Sequence, residues 1–422
     1  MTFRITTSRL LVLAIGFSWC LVYEDAFGDL TFGVFAFGCA GVLLVSRLRS
    51  VSIVGRSNLV VRAWQYFRNL WLLVVLSWCY GVALGFWRMN DSGSVIRNFF
   101  GLILYSFTPL FLGLRMKTRQ LVNLLVFGGL VQSAWGVYAV IISGGLSRNL
   151  DSGSISDFRS IYSTGFICIF PLFALLLALN LYPDVGQSGS VPRYLNRWGR
   201  NPVALFFVGL MLIVPSMSKG FILSAVLLTA ILSSAAFMRV ILTGKARLAA
   251  ISTWLSGLVV VVVFLAVSLP MLIDSFSSRE PSNQVRQEQA KILSVEFEWI
   301  GNGLGARLKS GYARDDAGYG FELTYLNLIH KLGLMAIPLF ALYGGTVLFA
   351  TILLFRAATC IEGAAALGAM GYLVVGAGNP LLLSVVAVSL HLIALTLIDN
   401  GMVVLHSDRV NLSSNQPNVA HA

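Results

Sequence analysis

Residues 333–355 read GLMAIPLFALYGGTVLFATILLF, without one charged side chain. A helix needs roughly 20 apolar residues to cross a bilayer, and this run supplies them. Similar runs fall near 10–23, 30–46, 70–87, 98–114, 121–143, 161–182, 202–215, 220–238, 250–273, 362–378 and 380–398. With 333–355 they predict an all-α polytopic membrane protein of about 12 transmembrane helices. The composition agrees: 57% of the residues are apolar, 11% are charged and the mean hydropathy is +0.81. Soluble domains carry about a quarter charged residues. A soluble globular protein, a disordered chain and a disulfide scaffold are all excluded. Trp19 precedes Cys20 at the end of the first run, so the small-residue cleavage pattern of a signal peptide is missing. The first run is expected to be retained as a helix.

The chain is basic, with a formal charge of +12. Cytoplasmic loops of membrane proteins collect Lys and Arg. An inside N-terminus places 18 of the 30 basic residues on the cytoplasmic side. Of the 18 acids, Asp184, Glu362, Asp399 and Asp408 join them there. The inner face then carries +14 and the outer face −2, so orientation accounts for the basicity and no nucleic-acid partner is called for. Both termini are expected in the cytoplasm. The division is residues 1–273 with helices one to nine, 274–332 as a large periplasmic loop with short helices, 333–400 with the last three helices, and 401–422 as a cytoplasmic tail, polar and disordered after about Ser407. The five cysteines fall in or beside apolar runs without a CxxC pair, and are expected to be small buried hydrophobes. No HExxH, aspartate-rich or GxSxG motif is present, so no metal site is expected.

The long outer loop holds most of the candidate chemistry, because loops of this length are usually functional. Pro281 to Leu293 reads as a helix, with Pro at its start and Val285, Gln289 and Ile292 at helical spacing. Arg279 and Arg286 offer planar donors that fit phosphate oxygens. Lys219 stands at a Ser-Met-Ser-Lys-Gly break between two apolar helices, where a cation benefits from an anionic partner. Glu322 leads toward the tenth helix and is a candidate general base. Helical spacing puts Tyr325, Leu326 and Gly333 on the same side as Glu322, and Tyr325 is a candidate substrate contact. Arg159, at the outer end of the sixth helix, is a further candidate. His330 and Lys331 read as interfacial residues. Gly301 to Gly305 reads as a turn region.

Three local patterns resemble the O-antigen polymerase and ligase superfamily of bacterial membrane glycosyltransferases. Ser218-Lys219-Gly220, opening an apolar helix, is similar to that family's Ser-Arg-Gly. Arg286-Gln287-Glu288-Gln289, followed by Trp299-Ile300-Gly301-Asn302-Gly303-Leu304-Gly305, resembles its Arg-rich loop and GxGxG turn. Glu322 to Gly333 resembles the segment where ligases place His-Asn eleven residues before Gly-Leu. Lys replaces Arg at 219 and Glu replaces His at 322; the second change leans toward the polymerases.

The resemblance covers about residues 200–345 and implies a GT-C-like fold in the bacterial inner membrane. It implies metal-independent, inverting transfer without a cofactor. The substrates would be undecaprenyl-pyrophosphate-linked glycan donor and acceptor on the periplasmic face, with a chain-length regulator as a further partner. Lys219, Arg286, Arg279 and Arg159 would hold pyrophosphate, and Glu322 would accept a proton. The alternatives are a ligase that delivers glycan to lipid A-core, and a 12-helix transporter or flippase. Against a major-facilitator carrier, the loop between helices two and three lacks that family's Gly-Asp-Arg pattern, and no related halves are visible.

Overall fold

A computed structural model describes residues 7–20, 28–45, 59–114, 116–142, 164–182, 191–213, 218–243, 281–312, 321–378 and 381–414. Among them all regular structure is helical. Five helices are long and apolar enough to cross a membrane: Leu59–Trp87, Thr118–Tyr138, Lys219–Ile241, Thr324–Leu354 and Val385–Ser407. Shorter apolar helices are Thr7–Cys20, Phe100–Gly113, Gly165–Leu181, Pro202–Ile213 and Cys360–Val375. The expected span 250–273 lies outside the described residues.

Polar contacts sort the helix ends onto two faces. On one, Arg68 pairs with Asp399 at 2.6 Å and Asn400 donates to the Met116 carbonyl. There Tyr194 also donates to Asn123, and Arg239 lies over the Tyr182 ring. On the other, called here the loop face, the ends near Arg88, Lys219, Glu322 and Gly378 meet residues 283–306. Successive apolar helices therefore run back and forth between the faces.

The centre is the Cys360–Ala369 helix, buried along its whole length. Small residues make that possible. Gly363 lies against the Ala350 carbonyl and Gly368 against Ala174 and Pro171, so neighbouring backbones approach closely. Cys39, Cys168 and Cys360 are buried as expected, but Cys79 is exposed on the Leu70–Trp87 helix.

Three expectations about the elements are corrected. The run 98–114 is not one α-helix: a 3-10 helix, Phe100–Phe107, leads into Thr108–Gly113. Pro109 has no N–H for the Tyr105 carbonyl, which takes the Thr108 hydroxyl at 2.6 Å instead. The tail expected from residue 401 is helical as far as Ser414, in the helix Val385–Ser414. Asp399 and Asn400 end the apolar run, but polarity alone does not stop backbone hydrogen bonding, and Met402 beyond them is fully buried. Finally, the Thr324–Leu332 helix begins two residues after Glu322, and Gly333 opens a 3-10 turn at φ +55°. Glu322 therefore precedes the helix and does not share its face with Tyr325 and Leu326.

Candidate active site

The outer helix predicted from Pro281 is present as Pro281–Val295. Its residues Asn283, Arg286 and Gln289 follow one another at three-residue spacing, so they share a side. Arg286 Nε lies 3.0 Å from Glu322 Oε2, although the N–H is not aligned for a hydrogen bond. Arg286 Nη1 donates to Asn283 Oδ1 at 3.4 Å. Lys219 Nζ donates to the same oxygen at 3.5 Å. Gly378, at the end of the central helical segment, leaves room beside the Arg286 guanidinium. Lys219, Arg286 and Glu322, all singled out in the sequence, thus form one cluster from three separate elements.

Sequence reasoning missed Asn283 and Gln289. Gln289 is fully buried, and its Oε1 accepts the Glu322 backbone N–H at 3.1 Å. Its Nε2 has no hydrogen-bond partner among the described residues. The three-residue spacing from Arg286 was a readable signal for both.

The glycine loop lies against the far end of the helix that follows Glu322, and it is more than a turn. Gly301, Gly303 and Gly305 all have φ between +71° and +79°. A Cβ on Gly303 would sit 2.5 Å from the Gly85 nitrogen, so only glycine allows this approach to the Leu70–Trp87 helix. The backbone is well satisfied. Asn302 and Gly303 N–H groups donate to the His330 and Lys331 carbonyls, and Leu304 N–H to Gly81. The Asn90 amide donates to the carbonyls of Asn302 and Leu304, and Lys331 Nζ to that of Ala306 at 2.6 Å. The loop pins the Thr324–Leu332 helix to the Leu70–Trp87 helix and so positions Glu322.

These bonds correct the reading of His330 and Lys331 as interfacial, since both are buried beneath the loop. Lys331 also lies over the Phe321 ring, 5.8 Å from its centre. The charges of the loop are partly spent on one another. Arg88 donates to Glu298 at 2.6 Å and Lys309 at 3.2 Å, and the two cations hold the Glu298 carboxyl below its usual value of 4.5. Arg307 is exposed.

Tyr325 is placed differently from the expectation. Its hydroxyl donates to the Leu373 carbonyl at 2.7 Å, so the ring is the part that meets the neighbouring space. With Phe340 and Tyr343 it lines a largely apolar cavity of about 330 Å³. Arg159 and Arg279 lie outside the described residues, as do Glu280 and Arg314.

Compared with models of known protein families and with curated proteins, the chain matches none.

Proposed function

We propose that this chain is a membrane glycosyltransferase that polymerises undecaprenyl-pyrophosphate-linked oligosaccharide repeat units at its loop face, read as periplasmic, in a bundle of about 12 spans. The observation that carries the reading is the meeting of Lys219, Arg286 and Glu322 at that face. Two cations converge on one neutral amide oxygen, and a carboxylate stands beside them. Such a group suits a reaction whose leaving group is an anion and whose nucleophile must lose a proton.

The chemistry follows from the charges. Lys219 and Arg286 bind the donor pyrophosphate and stabilise the charge that develops as the anomeric carbon–oxygen bond breaks. Arg286 then exchanges its carboxylate contact for phosphate oxygens, which accept its planar donors better than a misaligned ion pair does. Glu322 is released to take the proton from the acceptor sugar's hydroxyl as that oxygen attacks with inversion. Gln289 Nε2 is a buried donor beside this site, and buried donors rarely go unpaired; a sugar hydroxyl suits it. The aromatic cavity at Tyr325, Phe340 and Tyr343 offers an apolar exit for the isoprenoid tail.

A gel of lipid-linked glycans from cells lacking the chain, complemented with wild type or Glu322→Gln, tests this. With Glu322→Gln at normal membrane levels, single repeat units should accumulate on the lipid and long polymer should vanish. Long polymer left untransferred on the lipid would make the protein a ligase. Units retained on the cytoplasmic side, or unchanged glycans, would overturn the enzyme reading in favour of a transporter.

A further inference from the structure

The glycine loop reaches below the end of the helix it docks on. Leu304 N–H donates to the Gly81 carbonyl, and the Tyr80 hydroxyl donates to the Ile300 carbonyl at 2.7 Å. Gly81 and Tyr80 lie six and seven residues before Trp87, the last residue of the apolar helix. At 1.5 Å per residue that is about 9–10 Å along the axis. Trp87 is 84% exposed and is followed at once by Arg88, which meets Glu298. An exposed Trp followed by the first charge marks the edge of a hydrocarbon layer. Gly303 packs against Gly85, two residues before Trp87, so residues 300–304 sit between about 3 and 10 Å below that edge.

Irregular backbone is tolerated at that depth only where the protein satisfies it. The bonds to Gly81, Asn90, His330, Lys331 and Tyr80 do this. The side chains divide accordingly. Asn302 and Leu304 point into the protein and are buried, whereas Trp299 and Ile300 are 68% and 57% exposed. The Trp299 carbonyl accepts the Leu334 N–H at 2.9 Å, which joins these two residues to exposed Leu334 and Ile337 on the tenth apolar run. The exposed apolar residues of the loop thus adjoin those of the Thr324–Leu354 helix, one of the helices long enough to span a membrane.

We propose that Trp299 and Ile300 are embedded in the bilayer, making the loop a re-entrant segment whose outward surface binds lipid acyl chains. The loop is then an anchor that holds the Glu322 helix at a set depth. This inference stands independently of the proposed reaction.

The test uses the full-length protein with Cys79→Ser, which removes the one cysteine exposed on a described helix. Cysteines are placed singly at Ile300 or at Arg307, labelled with bimane, and the protein is returned to liposomes. With lipids brominated near the top of their acyl chains, emission from position 300 should be lost and that from 307 should persist. Aqueous iodide should quench 307 and spare 300. Quenching of 300 by iodide and not by brominated lipid would overturn the proposal. Spectra taken before labelling and after, with retention of cooperative thermal unfolding, confirm that each variant is folded. If Ile300→Cys does not fold, Trp299→Cys serves in its place. Its quenching by iodide alone would overturn the proposal equally.

Discussion

His391 and Arg286 both stand among polar partners, but the partners are arranged in opposite ways. His391 is completely buried. Its Nδ1 lies 2.7 Å from the Tyr105 hydroxyl and its Nε2 2.9 Å from Thr346 Oγ1. Thr346 spends its own proton on the Leu342 carbonyl at 2.7 Å. It therefore offers lone pairs to Nε2–H, and Nδ1 accepts from Tyr105. Both ring nitrogens are satisfied by short bonds. Arg286 is about a quarter exposed, shares an amide oxygen with Lys219 at 3.4 Å, and meets Glu322 without hydrogen-bond alignment. A closed network that leaves no atom over serves the fold. A charged cluster held by long bonds at a helix mouth is the arrangement the proposed reaction needs, because its partners can be exchanged.

That contrast breaks first at the two residues themselves. Arg286→Ala should abolish chain growth, a loss of at least about 100-fold, while the thermal unfolding midpoint in detergent stays near wild type. His391→Ala should do the reverse. Leaving a cavity, with the Tyr105 hydroxyl losing its short bond, costs about 3 kcal/mol, so the midpoint falls while activity per folded molecule survives. If His391→Ala removes activity from a fully folded protein, His391 belongs to the reaction and the division fails.

The glycines sharpen the comparison next. Gly303→Ala forces a left-handed backbone and drives a Cβ into the Gly85 backbone. Together these cost about 3 kcal/mol or more. Gly311 has a similar φ of +75° but open space around its Cβ position. Gly311→Ala should therefore cost only about 1 kcal/mol. Equal shifts in thermal midpoint for the two variants would mean that the docking of the loop on the Leu70–Trp87 helix contributes nothing.

The smallest effect concerns pH. Arg88, and after it Lys309, hold the Glu298 carboxyl below 4.5. A depressed carboxylate contributes its stability fully above the unfolded value and loses it as pH falls through the folded one. Hydrogen exchange of the loop amides should therefore lose protection only below about pH 4.5, once the intrinsic pH dependence of exchange is removed. The pair is partly exposed, so the loss is about 1 kcal/mol at most. Arg88→Ala should flatten this pH response; an unchanged response would assign it to another group.

Much of the architecture was legible in the chain order of apolar and polar residues. Long apolar runs announce helices because, within a bilayer, a continuous apolar segment satisfies its N–H and C=O groups internally only as a helix. The outer helix from Pro281 was legible from its Pro and its spacing. Lys219, Arg286 and Glu322 were legible as unusual charges beside apolar runs. What escaped the sequence has a common cause. Helix Val385–Ser414 passes its last apolar stretch because hydrogen bonding continues through polar residues. Asn283 and Gln289 look like ordinary surface amides until Lys219 and Glu322 arrive from elsewhere in the chain. His330 and Lys331 look interfacial until a loop from thirty residues earlier covers them.

Local order thus determined which segments are helical and which charged residues are out of place. Only the tertiary structure decided which of those residues meet, that the glycine loop packs beside Gly81, and that His391 is buried between two short bonds while Arg286 stays partly exposed. The physical reason is one of range. Hydrophobic burial and helix propensity act through neighbouring residues and can be read along the chain. A hydrogen bond between residues hundreds of positions apart exists only after the helices have packed.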